Sequence, residues 1–342
     1  MKAFVVTAPG EGAVEDVPDP VAAPRQVGVD IHHAGVCGTD HEFWTGEMAY
    51  LHQGHAAYPL RLGHEWCGVV SAVGAGVDPA WLGRRVTGDT MLGCGHCQRC
   101  LSGHHNVCED RLEIGIRGGF PGALAEQLAV PASSLFDLPT TVDDTAGAMV
   151  EPGGNALRSV GAAALAPGDR LLILGTGTMG LLSAKFARAG GAEVHLMGRS
   201  AQGTEFAGGL GFAGVWYRDT LPALRWDAVI DASNAAELPA LALDLVEPGK
   251  RVVYLGISGT PSLIDTRTVA LKDVTAVGIL AASQGLAGTV AHYAAGSVDP
   301  KPLVAATVSL DRVGDVLSGW RPEGASAGPK IHVDPRLSSQ TT

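Results

Sequence analysis

The sequence predicts an α/β protein in two parts, a β-rich first part followed by a doubly wound parallel sheet. Three observations carry that expectation. The chain has 342 residues, whereas a single core seldom grows past roughly 250–300 residues. Up to about residue 150 its apolar runs are short and broken by glycine and proline, which reads as a compact β unit with long functional loops. From Glu151 onward strand and helix patterns alternate, as in a parallel sheet covered by helices.

In the first part, "KAFVVT", "QVGVDIHHAGV", "WCGVVSAVG", "GRRVTGD" and "ALAEQLAVP" are the strand candidates. A helical "NALRSVGAAAL" then stops at Pro167-Gly168. Next, "RLLILGTGTMGLLSAKFARAGGAEVHLMGRS" supplies a buried strand, a glycine turn, a helix and a second strand. "DAVIDAS", "LPALALDLVEPG", "RVVYLGIS" and "DVTAVGIL" continue the alternation. After about Ala282 come a helix ("LAGTVAHYAAG"), a link and a last strand ("PKIHVDP"), and the tail "RLSSQTT" is expected to fray.

Composition excludes several classes. With 46% hydrophobic and 17% charged residues the chain is that of a globular protein and not of a disordered one. A formal charge of −11, with the charged groups dispersed, argues against nucleic acid, whose phosphates need clustered Lys and Arg. Apolar runs stay below the roughly 20 residues that cross a bilayer, and "MKAFVVTAPGEG" is too short for a secretory signal. The expected location is the cytoplasm and the expected partner a small molecule. All six cysteines fall in the first third of the chain, a local cluster and not a disulfide framework.

Gly175, Thr176, Gly177, Thr178, Met179 and Gly180 form "GTGTMG" between an apolar strand and a helix, the context that makes a GxGxxG pattern a dinucleotide fingerprint. Gly175 would allow the tight turn, Gly177 the approach of pyrophosphate, and Gly180 the packing of helix on strand. The pyrophosphate would sit on the helix N-terminus. An NAD site places Asp or Glu at the end of the second strand; here the strand ends in Gly198-Arg199-Ser200. Arg199 can pair with a 2′-phosphate and Ser200 donate to it, so NADP is expected over NAD, unless Arg199 is only a solvated loop residue.

Cys94, Cys97, Cys100 and Cys108 in "CGHCQRCLSGHHNVC" are spaced to wrap a structural zinc, with an iron–sulfur cluster as the chemical rival. His96, His104 and His105 are expected to be solvated, since four sulfurs fill the shell. Cys37 in "GVCGTDHEFWTG" stands apart, and its candidate partners are His64 and Glu65 in "RLGHEWCG" and Glu151 in "MVEPGGN". Cysteine, histidine and carboxylate meet the needs of a catalytic zinc that keeps one position open. Taken singly, each would more often be a core thiol, a satisfied histidine or a helix-starting Glu. Cys67 in "WCGVV" reads as a small core residue.

In this order, "GVCGTD", "GHE", the four-cysteine lobe, "VEP" and "GTGTMG" resemble the zinc-dependent medium-chain alcohol and polyol dehydrogenases over essentially the whole chain. The resemblance implies a GroES-like catalytic domain from residues 1–150 and 282–342, with a zinc lobe at about 93–109, and a Rossmann domain at 151–281. It implies two zinc ions per chain, one structural and one catalytic, and carries ligand roles onto Cys37, His64 and the position of Glu151. Alcohol-type members have cysteine at that last position, and those acting on polyols and sugars commonly have Glu. Glu65 would then bind zinc directly while Glu151 acts through a water, or the two exchange; the sequence leaves both open.

The chemistry implied is Lewis-acid activation of an alcohol and hydride transfer from its carbinol carbon to the nicotinamide. Thr39 would take the hydroxyl proton, but the relay histidine expected five residues after Cys37 is Glu42 here, with His41 one place early. Asp40 is expected to fix the loop or orient a ligand. Gly153 and Gly154 would enlarge the pocket near the nicotinamide. Asn155, one helical turn past Glu151, would reach cofactor or substrate. Phe43, Trp44 and Tyr58 are pocket-wall candidates and His52 and His55 hydroxyl partners, or all five are loop packing. The first-choice substrate is a polyol, cyclitol or sugar-like secondary alcohol. NADPH-dependent reduction of an aldehyde or conjugated carbonyl is the alternative, and a non-catalytic cofactor-binding protein the alternative of another class. The resemblance also implies a homodimer or homotetramer paired through "DVTAVGIL".

Overall fold

The structure, a computed structural model, describes residues 1–338. Of the tail expected to fray, residues 336–342, Arg336 is tied to Asp334, and residues 339–342 lie outside the described residues. The chain divides into two units. The first comprises Met1–Glu151, Val304–Ser326 and the chain from Lys330 on; the second comprises Pro152–Leu303 with Ala327–Pro329.

The first unit is built on a seven-stranded sheet among the described residues. Gln26–Val36 is its centre, pairing antiparallel with Glu65–Val73, Gln127–Pro131 and Lys330–Val333. The alternation in Gln26–Val36 buries Val27, Val29 and Ile31 in a core with Phe43, Leu62, Trp66 and Leu128. Lys330–Val333 is buried along its whole length, so the end of the chain is an interior strand of this sheet. A smaller sheet joins Lys2–Ala8 to Glu11–Asp16 and Leu60–Arg61. "GVCGTDHEFWTG" is a helix, Gly38–Thr45, with Cys37 at its N-cap, where the sequence suggested a loop.

The second unit has a parallel six-stranded sheet in the order Gly214–Trp216, Glu193–Met197, Arg170–Leu174, Trp226–Asp231, Val246–Tyr254, Thr275–Gly278. Numbered by chain position this is 3-2-1-4-5-6, the doubly wound order in which ligands lie beyond the carboxyl ends of the strands. Arg170–Leu174 lies mid-sheet and is buried from Leu171 on, which is why it reads as a continuous apolar run.

One expected boundary needs correction. Residues 282–303 belong to the second unit, not the first. The helix Leu286–Ala294 packs on the helices Val150–Ala163 and Thr178–Ala189: the rings of Tyr293 and Phe186 stack at 6.1 Å, and a Cβ on Gly154 would lie 2.8 Å from Ala282 Cβ. The same contacts correct the reading of Gly153 and Gly154. A side chain at Gly153 would collide with Tyr293 and Thr289, so these glycines permit close helix packing and do not open a pocket.

Candidate active site

Cys37 ends the central strand and starts the helix Gly38–Thr45. Its amide donates to Asp40 Oδ2 at 2.8 Å, so the acid three residues on closes the first helical turn over the cysteine. The other oxygen, Oδ1, accepts from Gly63 N at 3.2 Å and lies 3.6 Å from His64 Nδ1. Asp40 is fully buried; it ties the Cys37 turn to the His64 turn, as a carboxylate behind a metal-ligand histidine does. Gly63 has φ +99°, and a Cβ there would lie 2.6 Å from Leu124 N, so only glycine carries the chain into His64.

Cys37 Sγ, a nitrogen of His64 and a carboxylate oxygen of Glu65 lie within 4.8 Å of one another. Thiolate, imidazole and carboxylate within that span suit a zinc-type cation. Burial pushes His64 down, but Asp40 and Cys37 outweigh it and hold the ring well above its ordinary value. Glu151, in the first turn of Val150–Ala163, stands outside that triad of ligand atoms. It is buried, which raises its carboxyl to about 7; His64 opposes the shift, and Glu65 and Asp89 add to it.

Thr39 sits half-buried in the first turn of the helix at Cys37. His41 is tied elsewhere, its Nδ1 2.9 Å from the Leu317 carbonyl. Glu42 is half-buried and its carboxyl raised, chiefly by burial. Of the two readings left open for the aromatic residues, the structure bears out packing. Phe43 is wholly buried in the core, Trp44 meets Phe4 with ring centroids 6.2 Å apart, and the Tyr58 hydroxyl donates to the Phe43 carbonyl. His55 rests edge-on against Tyr50, and His52 closes the short helix Ala49–His52. Cys67 is buried, its thiol donating to the Asp144 carbonyl and pushed upward by burial.

The four cysteines of the lobe converge without a disulfide. Cys94 and Cys100 sulfurs are 3.9 Å apart, those of Cys97 and Cys108 3.8 Å apart. The amides of His96 and Cys97 draw Cys94 down to about 6, while desolvation pushes Cys100 up to about 12. Four thiols this close cannot all ionise without a cation among them, and a zinc ion in a tetrahedral sulfur cage satisfies that need. His96 and His104 make only local contacts. His105 differs from its expected solvated state: Nε2 lies 2.7 Å from Asp89 Oδ2, an acid of the unit's interior.

In the second unit, Gly175 (φ +119°) turns the chain out of Arg170–Leu174, and Gly177 caps the helix Thr178–Ala189, with Thr178 and Met179 opening it. A Cβ on Gly180 would collide with the Gly175 carbonyl, whereas one on Gly177 would meet open space. That contrast fits packing by Gly180 and ligand approach at Gly177. Thr176 Oγ1 would be 3.0 Å from a Cβ on Gly198, the residue that ends the second strand. Arg199 is exposed. Ser200 caps the helix Ala201–Gly208, its Oγ accepting from Gly203 N at 3.2 Å while keeping its own proton to donate. Asn155 lies in Val150–Ala163, where its carbonyl accepts from Ser159 Oγ.

Lys330 was absent from the sequence-derived site. It is buried, with Nζ 2.7 and 2.8 Å from the two oxygens of Glu65. A lysine alternating with the apolar Ile331 and Val333 in "PKIHVDP" is the one signal that could have found it.

Residues 23–140 match the alcohol dehydrogenase GroES-like domain. The chain is 31% identical over 291 residues to an L-threonine 3-dehydrogenase of Mesorhizobium japonicum, covering 82% of this chain and 83% of that protein. Among solved structures it resembles one from Sinorhizobium meliloti 1021 bound to NADP, whose assignment as a zinc-binding dehydrogenase is itself provisional (29% identity, TM-score 0.88, 98% and 99% of the two chains). It also resembles an alcohol dehydrogenase of Escherichia coli CFT073 complexed with NADH (25% identity, TM-score 0.89, 98% and 99%). No helix among the described residues is long and apolar enough to cross a membrane. With its GroES-like and Rossmann folds, the chain is an oxidoreductase and belongs to the zinc-type medium-chain alcohol dehydrogenase family.

Proposed function

We propose that the protein is an NADP-preferring, zinc-dependent dehydrogenase of a hydroxylated secondary alcohol such as a polyol, cyclitol or sugar. The convergence of Cys37, His64 and Glu65, with buried Glu151 electrostatically coupled to them, carries this reading. Zinc held there would supply the Lewis acid that makes an alcohol proton acidic near neutral pH. The chain's own residues do the rest. Asp40 orients His64 and the Cys37 turn, and the Thr39 hydroxyl would accept the hydrogen bond of the substrate hydroxyl and pass its own proton on to solvent as it takes the substrate's. Glu151, whose carboxyl burial raises to about 7 in the metal-free protein, would give up that proton as the ion binds. The glycine turn from Gly175 to Gly180 would hold the pyrophosphate of a nicotinamide dinucleotide, which would supply the acceptor for hydride from the carbinol carbon. Glu151 at the position where alcohol-type members carry cysteine favours the polyol class, and the four-cysteine lobe takes the second zinc.

Gly198 in place of an acid, with exposed Arg199 and the free proton of Ser200, supports recognition of a 2′-phosphate. NADP as the cofactor also favours the second reading, reduction of an aldehyde or conjugated carbonyl. The strand Thr275–Gly278 at the sheet edge, with exposed Leu271 and Leu280 beside it, suits pairing into a homodimer or homotetramer.

The test is a screen of zinc-replete protein with NADP and, separately, NAD against alcohols, polyols, cyclitols and sugars, then NADPH oxidation by aldehydes and enones. Zinc-dependent NADPH formation with a hydroxylated substrate is the expected result; turnover only in the carbonyl direction selects the second reading. Arg199→Ala should raise KM for NADP by about tenfold or more and leave KM for NAD nearly unchanged. Equal or better kcat/KM with NAD in the parent enzyme overturns the NADP assignment.

A further inference from the structure

The four-cysteine lobe is inserted in a two-stranded ribbon, Met91–Leu92 paired with Leu112–Glu113, and the foot of that ribbon stands behind His64. The Thr90 hydroxyl donates to the His64 carbonyl at 3.1 Å, and the Ile114 amide donates to the Thr90 carbonyl at 3.0 Å. Gly115 (φ +69°) lies against the turn before His64, where a Cβ would come 2.7 Å from the Gly63 carbonyl. The backbone that delivers His64 is thus seated on Thr90, Ile114 and Gly115.

At the neck of the lobe each strand carries a buried acid that meets a lobe residue. Arg111 Nε donates to Glu113 Oε1 at 2.7 Å, while Nη1 and Nη2 donate to the Cys108 carbonyl at 3.1 Å and the Tyr50 hydroxyl at 3.0 Å. That hydroxyl donates in turn to Glu113 Oε1 at 3.2 Å, and the Arg111 and Glu113 side chains are 11% and 3% exposed. On the other strand, His105 Nε2 lies 2.7 Å from Asp89 Oδ2, and Asp89 Oδ1 accepts from Met91 N at 3.0 Å.

Arg111 is a rigid, permanently charged fork that joins the carbonyl of a lobe cysteine to an acid at the ribbon foot. Taking one member from a buried pair strands the other charge away from water. A stranded Glu113 would draw water to the ribbon foot, and the next residue, Ile114, is the one that holds Thr90 under His64. We propose that Arg111 is a positioning residue through which the closed cysteine lobe keeps the backbone behind His64 in place, so that the lobe governs how long the inner centre holds its ion. The inference rests on the metal centres proposed above.

The experiment uses the full-length zinc-loaded enzyme and measures zinc per chain, the phases of zinc release to a chelator, and Tm; the phase missing in H64A belongs to the inner centre. R111M should keep two zinc ions per chain and speed inner release by about tenfold or more. R111M/E113Q, which removes both charges together, should return that rate to within about threefold of the parent. C97S, which empties the lobe, should speed inner release in the parent by about tenfold and leave it unchanged in the R111M/E113Q background. E109Q breaks the exposed Arg99 pair of the lobe, away from the ribbon foot, and should leave inner release at the parent rate.

A merely structural arginine predicts a lower Tm in R111M with inner release unchanged. That result overturns the inference, as does R111M/E113Q releasing zinc as fast as R111M. If R111M does not fold, R111K decides, because it keeps the charge and loses the fork: inner release faster than the parent is expected, and an unchanged rate overturns the inference. Two release phases that both survive in H64A would show that the inner metal centre itself is wrong, and the inference falls with it.

Discussion

The two proposed cation sites of the first unit are built by opposite means. The four-cysteine lobe draws every donor from Cys94 to Cys108, with half-exposed sulfurs at Cys94, Cys97 and Cys100 and turns set by Gly95 (φ +79°) and Gly103 (φ +81°). The inner centre collects Cys37, Asp40, His64, Glu65, Glu151 and Lys330 from distant parts of the chain onto one buried framework. A loop that closes only around its ion depends on the ion to stay folded. Donors already fixed by strand register, by the Asp40 bridge and by the Lys330–Glu65 pair depend on the fold, and the ion proposed there would serve chemistry.

The comparison is broken most directly by removing one donor from each site. His64→Ala should leave one zinc per chain, lower kcat/KM by about a thousandfold or more, roughly 4 kcal/mol, and hardly shift Tm. Cys97→Ser should also leave one zinc, but lower stability by roughly 4 kcal/mol or more while much activity survives in the cold. Metal analysis with thermal melts and assays checks both. A large Tm loss in His64→Ala with a stable Cys97→Ser would reverse the assignment of roles.

A smaller effect sharpens the same contrast. Asp40→Asn removes the charge behind His64 and should weaken zinc at the inner centre by about 10–100-fold without touching the lobe, as competitive chelation would read. Equal weakening at both sites would mean that Asp40 acts through the fold as a whole.

The smallest effect is in the pH dependence of the metal-free protein. Glu151 is raised from 4.5 to about 7 by burial first, so the folded state holds its proton more tightly than the unfolded one. Stability contributed by that proton is present below about pH 4.5 and is lost as pH rises to about 7. The apo-protein should therefore melt at lower temperature at pH 7.5 than at pH 5, and Glu151→Gln should flatten that slope. Added zinc should flatten it as well, since the ion takes the place of the proton. A slope unchanged in Glu151→Gln would place the titration elsewhere.

Sites whose logic is local were legible before folding. "GTGTMG" needs only the strand before it and the helix after it, and "CGHCQRCLSGHHNVC" needs only its own spacing. The central strand was visible because alternation in "QVGVDIHHAGV" marks one buried face. Gly153 and Gly154 were misread as pocket features because their neighbours, Tyr293 and Ala282, are remote in sequence, and the choice between pocket wall and packing at Phe43 and Trp44 stayed open until Phe4 was seen beside them. For the same reason residues 282–303 were joined to the wrong unit.

The sequence by itself determined the family and the two-part α/β plan and named the candidate donors, because spacing and residue type already limit which cation and which cofactor the chain can hold. Tertiary structure alone decided which donors meet and what stands behind them. Strand register sets Glu65 against Gly35 and Lys330, and the turn at Gly63 brings His64 to Asp40. Those choices depend on pairing between segments tens to hundreds of residues apart, and local pattern carries no record of that pairing.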